Sequence, residues 1–133
     1  MLKMFVKMLM VCVIIFTVSG CSLIKKSDDY VQVSYDSLLT LSEAYHFTMT
    51  IAGQLYQAKY LNDDDKNKII TIAMKFDTYY DKVVDGLKIY VSTSNTLLKS
   101  DIDLNLSNLS KILSELREVV NIGRNLKHKG VLR

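Results

Sequence analysis

Glu43 and His46 are the first pair of side chains in this sequence whose types and spacing could do chemistry. They match the Glu-x-x-His spacing of di-iron sites in helical bundles. Such a site needs a second pair and two further carboxylates, but the only other glutamates are Glu115 and Glu118, and the only other histidine is His128. A single-metal site would still need a third ligand from another helix. We therefore interpret the pair as helix-surface groups and predict no metal and no cofactor.

A second pattern, Asp101-x-Asp103-x-Asn105, occupies positions 1, 3 and 5 of a calcium-loop spacing. That loop needs glycine at position 6 and glutamate at position 12, where this chain has Leu106 and Ile112. The calcium interpretation fails, and a helix start explains the aspartates better. The chain also has neither a Gly-x-Ser-x-Gly turn nor a glycine-rich phosphate loop. We predict that the protein is not an enzyme.

Asp77, Asp81 and Asp85 form a row of carboxylates at four-residue steps. Like charges at this spacing mildly destabilise a helix, so a row retained at a cost could face a cationic partner. Three lysines are interleaved with it, namely Lys75, Lys82 and Lys88. The favoured interpretation is that these lysines neutralise the row and that it marks a solvated face.

Tyr60 and Tyr79 are aromatic residues that fall off the main apolar stripes of the chain. Exposed aromatic side chains are favoured in binding surfaces. We take these two tyrosines, with Asp77, Asp81 and Asp85, as a candidate surface for a protein partner. The alternative is that the extra aromatic rings widen the core.

The chemistry with the most specific pattern is that of a single thiol, Cys21. Lys3 and Lys7 precede an apolar stretch, Met8–Val18, and the small residues Ser19 and Gly20 follow, which is the order of a secretory signal. The segment Val18-Ser19-Gly20-Cys21 resembles the lipobox of bacterial lipoprotein precursors. The resemblance implies that Cys21 is joined to diacylglycerol, that the precursor is cut between Gly20 and Cys21, and that Cys21 becomes the first residue.

The resemblance implies a location outside the cytoplasm, with residues 1–20 as a signal peptide and 21–30 as a lipid-anchored tether. In Gram-negative lipoproteins of the enteric type, an aspartate directly after the cysteine favours retention at the inner membrane. Here Ser22 follows, which favours the periplasmic face of the outer membrane if the host is Gram-negative. Three alternatives stay open. Residues 8–24 could be a transmembrane helix, at the lower limit of about 17–25 residues for a span. The segment could also be a plain signal peptide or an apolar helix of a cytosolic domain.

The charge balance excludes a nucleic-acid-binding surface. The formal net charge is +3, and Lys3 and Lys7 supply two of these charges, so the electrostatic footprint of phosphate binding is missing. The only other cysteine, Cys12, lies in the signal and would leave with it, so no intramolecular disulfide is expected. The sequence has no proline, which suits long helices.

Apolar side chains repeat at three- and four-residue steps in three segments after Cys21, which predicts three amphipathic helices. The predicted helices cover residues 34–60, 63–91 and 101–126 within a domain of residues 31–126, followed by a basic tail, 127–133. Residues 31–35 alternate in polarity, so this stretch could be extended instead. Asn62 or Asp63 should cap the second helix, and Ser100-x-x-Asp103 has the shape of a capping box for the third.

The predicted fold is therefore all-α, a three-helix up-down-up bundle after a cleaved signal peptide. The alternative is an elongated hairpin or coiled coil that needs a second copy. The sequence predicts a small lipid-anchored envelope protein that acts as a non-enzymatic binding, adaptor or structural subunit. Its expected partners are membrane lipid, through Cys21, and an envelope protein. The alternative is a lysis or superinfection-exclusion lipoprotein of a phage or mobile element, and the chain loosely resembles small phage-type lipoproteins.

Overall fold

Three helices pack against one another in the computed structural model, which describes residues 29–131. They are α1 (Asp29–Gln57), α2 (Asp63–Thr93) and α3 (Leu98–Lys129). The predicted all-α three-helix bundle is confirmed. The signal peptide, its cleavage point at Gly20 and Cys21, and most of the tether lie outside the described residues.

The helices run up, down and up, as contacts at the two ends of the bundle show. At one end, Tyr30 near the start of α1 meets Tyr90 near the end of α2 and Asp103 near the start of α3. At the other end, Leu61 in the first loop lies against Gly123 near the end of α3. None of the helices in residues 29–131 has an apolar stretch long enough to span a bilayer.

The core is centred on α3, which makes most of the contacts between helices. The most deeply buried large side chains are Leu61, Val83, Ile102, Leu109, Leu116 and Val120. Four of these six belong to α3. Since α1 and α2 pack mainly on α3 and contact each other least, α3 holds the two other helices in place.

Several helix boundaries differ from the predicted ones. Helix α1 begins at Asp29 and ends at Gln57, so the alternating stretch at its start is helical and the last two residues of the expected tether belong to the helix. Tyr35, which lies on the apolar stripe of this helix, is 55% exposed, while Ser34 is buried. Helix α2 runs to Thr93 and α3 covers Leu98–Lys129. The first three residues of the expected basic tail are therefore helical.

The expected cap of α2 is present. The backbone N–H of Asp65 donates to Oδ1 of Asn62 at 2.9 Å, and the N–H of Asn62 donates to Oδ2 of Asp65 at 3.1 Å. This reciprocal capping box satisfies two N–H groups at the helix start. The box expected at Ser100 and Asp103 is wrong, because α3 already begins at Leu98. Asp103 accepts a hydrogen bond from Tyr30 instead.

The end of the bundle at residues 58–62 is sealed by one apolar side chain. Leu61 is 2% exposed although it lies in a loop. A Cβ atom added to Gly123 would come within 2.8 Å of Leu61 Cδ2 and 3.1 Å of Leu55 Cδ1. Any larger residue at position 123 would collide with this cap, so glycine permits the loop to close over α3.

Candidate functional site

An apolar groove between α1 and α2 is the feature of the described chain best suited to bind a ligand. It exists because both helices pack on α3 and little on each other. Its volume is about 590 Å³, within the range of about 300–1,000 Å³ that is common for ligand sites. Its lining is apolar apart from Gln32, Lys88 and the hydroxyls of Tyr35 and Tyr80.

Two rows of apolar side chains face each other across the groove. Val31, Tyr35 and Leu38 of α1 form one row, and the other is formed by residues of α2, namely Tyr80, Val84, Leu87 and Val91. Each row repeats at three- and four-residue steps, so its members stack on one face of their helix. Leu38 and Leu87 are buried and form the floor, while Tyr35 and Val91 are 55% and 64% exposed and form the edges.

A stack of aromatic rings lies beyond the inner end of the groove. The rings of Tyr45 and Phe76 are nearly parallel, at an interplanar angle of 6° and a centroid distance of 4.0 Å, and Tyr80 continues the stack at 6.4 Å from Phe76. Burial raises the pKa of Tyr45, and the negative charge of Asp77 adds to this effect. The Asp77 carboxylate on α2 is therefore close enough to Tyr45 on α1 to influence the pKa of that side chain.

The outer end of the groove lies beside a cluster that fastens the start of α1 to α3. The Tyr30 hydroxyl lies 2.9 Å from the Lys99 carbonyl oxygen and 2.8 Å from Asp103 Oδ1, between which its one proton is shared. The Tyr30 and Tyr90 rings meet edge to face at 5.5 Å. Lys99 Nζ lies 4.7 Å from the Tyr30 ring centroid, within cation–π range. Burial, followed by the hydrogen bond to Asp103, raises the pKa of Tyr30 to about 12.

The row of aspartates lies along the α2 rim of the groove. The first two carboxylates share a helix face with two lining residues, Val84 and Lys88. The steps from Asp77 to Asp81, Val84 and Lys88 are four, three and four residues, which places all four on one side of α2. All three aspartates are exposed. Asp85 pairs with Lys88 at 3.4 Å, in an exposed ion pair one turn apart on the helix.

The interpretation that three interleaved lysines neutralise this row is supported for Lys88 alone. Lys82 lies two residues from Val84, so it points away from the groove by about 200° of helix rotation, and its Nζ lies 4.8 Å from the ring of Tyr79. Lys75 is also two residues from Asp77 and lines a different hollow, between α2 and α3. The rim beside the groove is therefore acidic at Asp77 and Asp81.

Tyr60 and Tyr79 do not form one surface with the aspartates. Both are half-buried and pack against the core. Tyr60 lies in the first loop, before α2 begins at Asp63, and Tyr79 lies about 24 Å further along that helix at 1.5 Å per residue. The tyrosines that do flank the groove are Tyr35 and Tyr80. Nothing in the sequence marks these two tyrosines beyond their place on an apolar stripe.

Glu43 and His46 are both exposed on α1. Within the part of the chain that the structure describes, no three or more His, Cys, Asp and Glu side chains come together in a way that could hold a metal ion. Asp101, Asp103 and Asn105 lie on the first turns of α3, in a helix and not in a calcium-binding loop.

No protein-family model, curated protein or solved structure matches this chain. Its function is therefore argued from the groove, the charges around it and the sequence that precedes it.

Proposed function

We propose that this protein is a lipid-anchored, non-enzymatic binding subunit of a bacterial envelope, which holds a protein partner in the groove between α1 and α2. The observation that carries the binding role is the groove itself, with its two rows of apolar side chains. The lining offers shape and apolar area, and its polar groups are those of Gln32 and Lys88 and two tyrosine hydroxyls. Such a surface suits recognition better than catalysis, since chemistry needs several convergent polar groups.

The anchor is proposed from the lipobox-like segment that ends at Cys21. At most about 29 Å of extended chain, at about 3.6 Å per residue, separates Cys21 from Asp29, where α1 begins. Val31, the first residue of the groove, follows directly. A lipid on Cys21 would therefore keep the groove close to the membrane surface. Ser22 favours the outer membrane if the host is Gram-negative.

The anchor is tested by the substitution Cys21→Ser in the native host. Acyl labelling should disappear, and the unmodified precursor should persist, because the thiol that carries the lipid is gone. The matched control is Cys12→Ser, which removes the other cysteine and should leave labelling and processing intact. Unchanged labelling of the Cys21 variant would refute the anchor.

The binding role is tested by crosslinking and pull-down of the lipidated protein from its native membrane. The substitution Val91→Lys places a charge at the edge of the groove and should remove the crosslinked protein partner. Ile89→Lys is the matched control, because Ile89 is also exposed but lies about 200° away around α2. A pull-down that recovers only lipid and no protein would refute the binding role. Toxicity on overexpression, independent of position 91, would favour the lysis alternative.

A further inference from the structure

We infer that the occupant of the groove is a basic amphipathic helix of a partner protein. This inference rests on the proposed binding function and gives the partner its chemistry. It draws on three properties of the groove, which are the spacing of its lining, the charge of its rims and the type of side chain at its edges.

The spacing of the lining fits a helix. The α2 row extends from Tyr80 to Val91, about 16 Å or three turns of helix at 1.5 Å per residue. An amphipathic helix binds such a groove with apolar side chains at positions i, i+3, i+4 and i+7. A helix laid between α1 and α2, opposite α3, would turn this end of the molecule into a four-helix bundle, in which each helix buries one apolar stripe.

The rims carry negative charge on both helices. On α2, Asp77 and Asp81 are exposed beside the lining, and the cation of that rim, Lys88, is paired with Asp85. On α1, the amide nitrogen of Gln32, which lines the groove, donates to Oδ1 of Asp36 at 2.9 Å. A carboxylate therefore lies next to the groove on this side as well.

Carboxylates on both sides select for a partner whose apolar stripe is bordered by lysine or arginine. They raise the rate of encounter with such a helix and disfavour an acidic one. They also disfavour the acyl chain of an anionic lipid, because its phosphate would lie near Asp77 and Asp81. The charge of the rims thus favours a basic helix over an acidic helix and over an anionic lipid.

Two tyrosines belong to the groove lining. Tyr35, at the edge, is 55% exposed, and Tyr80 is half-buried. Tyrosine is enriched among the residues that contribute most to protein interfaces, and its ring attracts a cation that lies over its face. A lysine or arginine beside the apolar stripe of a bound helix would have both rings and carboxylates within reach.

The test uses the lipidated mature chain, which begins at Cys21, in phosphatidylcholine nanodiscs, together with a fluorescent, helical 18-residue peptide. The peptide carries leucine at i, i+3, i+4 and i+7 and lysine on both sides of the stripe. Its counterpart has glutamate in place of every lysine. Fluorescence anisotropy should show binding of the lysine peptide, with the glutamate peptide at least about tenfold weaker. Equal binding of the two peptides, or no binding of the lysine peptide, would overturn the inference.

Variants of the chain locate the binding. Val91→Lys should weaken the lysine peptide at least about tenfold by placing a cation where an apolar contact forms, while Ile89→Lys should not. Asp77→Asn with Asp81→Asn should cost about fivefold in low salt, and less in high salt. The control is the double variant Glu115→Gln with Glu118→Gln, which removes the same number of negative charges. Both glutamates line a different hollow, between α2 and α3. Equal effects of the groove and control variants would overturn the inference.

A photo-crosslinker at position 35 separates the competing occupants. Tyr35→p-benzoylphenylalanine should crosslink to the lysine peptide, whereas a crosslink to lipid, to the N-terminal segment or to a second copy would overturn the inference. If the peptide experiments fail but the native-membrane pull-down still recovers a protein whose crosslink depends on Val91, the binding role stands and only the basic helix is refuted. If the peptide binds but the native-membrane pull-down recovers no protein, the envelope role is refuted instead.

Discussion

The two ends of the bundle are closed by different kinds of contact. At the loop of residues 58–62, Leu61 is buried against Gly123, and the Asn62–Asp65 capping box fixes the start of α2. At the opposite end, the Tyr30 hydroxyl and ring hold α1 to α3, and the groove lies open beside them. Apolar burial seals one end, while the other is fastened by polar and ring contacts at its margin. This difference allows apolar surface to remain exposed in the groove without loss of the fold.

The largest expected effect is that of Leu61→Ala, which removes the side chain that seals the first end. Truncation of a buried leucine costs about 2–5 kcal/mol in the free energy of unfolding. Leu97→Ala is the matched control, because Leu97 lies at the other loop and is 82% exposed, so its change should stay within about 0.5 kcal/mol. Urea denaturation followed by circular dichroism measures both. Similar losses of stability for the two leucine variants would contradict the claim that apolar burial of Leu61 seals only the first end.

The next effect is that of Gly123→Ala, which adds a methyl group under Leu61 and Leu55. Overpacking of this kind costs about 1–3 kcal/mol, offset in part by the better helix propensity of alanine. At Gly53, on the exposed face of α1, an added Cβ meets nothing within 4 Å, so Gly53→Ala should stabilise the protein by about 0.5–1 kcal/mol. Thermal unfolding of the two variants checks these opposite signs. A gain in stability at position 123 would contradict the tight seal.

The cluster at the groove end is tested by Tyr30→Phe, which keeps the ring and removes the hydroxyl. The loss should be about 0.5–1.5 kcal/mol, the net value of a typical hydrogen bond. It should also depend on pH. The fold raises the pKa of Tyr30 from 10.0 to about 12, so the folded state keeps the proton that the unfolded chain loses. This contribution is complete below pH 10.0 and is lost as the pH rises through about 12.

Denaturation of the wild type and the Tyr30→Phe variant between pH 8 and pH 12 measures that difference. The gap in stability between them should narrow as the pH rises above 10.0. The control is Tyr35→Phe, since the Tyr35 side chain is 55% exposed at the groove edge. A constant gap for Tyr30 would mean that its hydroxyl does not hold the end of α1.

The smallest expected change in stability comes from the backbone of the two loops, whose conformation is similar at the two ends. Lys59 and Ser94 follow α1 and α2 in the left-handed conformation, with φ of 62° and 53°. A non-glycine residue pays about 1–2 kcal/mol for this conformation, and glycine loses part of the gain through chain entropy. Lys59→Gly and Ser94→Gly should each stabilise the fold by about 0.5 kcal/mol in thermal unfolding. Unequal gains would show that the ends differ in backbone as well as in side chains.

The number of helices and their arrangement could be predicted because apolar side chains at three- and four-residue steps specify a helix face locally. The start of α1 could not, because the Tyr30 hydroxyl is held by Lys99 and Asp103, about seventy positions further along the chain. Ser34 is buried and Tyr35 is 55% exposed, the reverse of what their residue types suggest. A stripe drawn from residue types places the tyrosine inside, because it contains no information about where the neighbouring helix lies.

The candidate site was predictable in its charges but not in its location. The row of Asp77, Asp81 and Asp85 can be read from the sequence, but which lysines meet it depends on the rotation of α2 against α3. The ammonium group of Lys82 lies over the ring of Tyr79. Lys82 therefore does not neutralise the charge of Asp81. The groove arises from the separation of α1 and α2, which is set by how both pack on α3. No local pattern in either helix encodes that separation.

The Tyr30 hydroxyl also determines how the bundle bears mechanical force. A pull on the residues that precede Asp29 enters α1 at its first turn. To peel that turn away, the force must first break the contacts of the hydroxyl with the Lys99 carbonyl and Asp103. The tension therefore passes into α3, the helix that both others pack against. Under such tension the first turn of α1 should separate at a lower force in Tyr30→Phe than in the wild type.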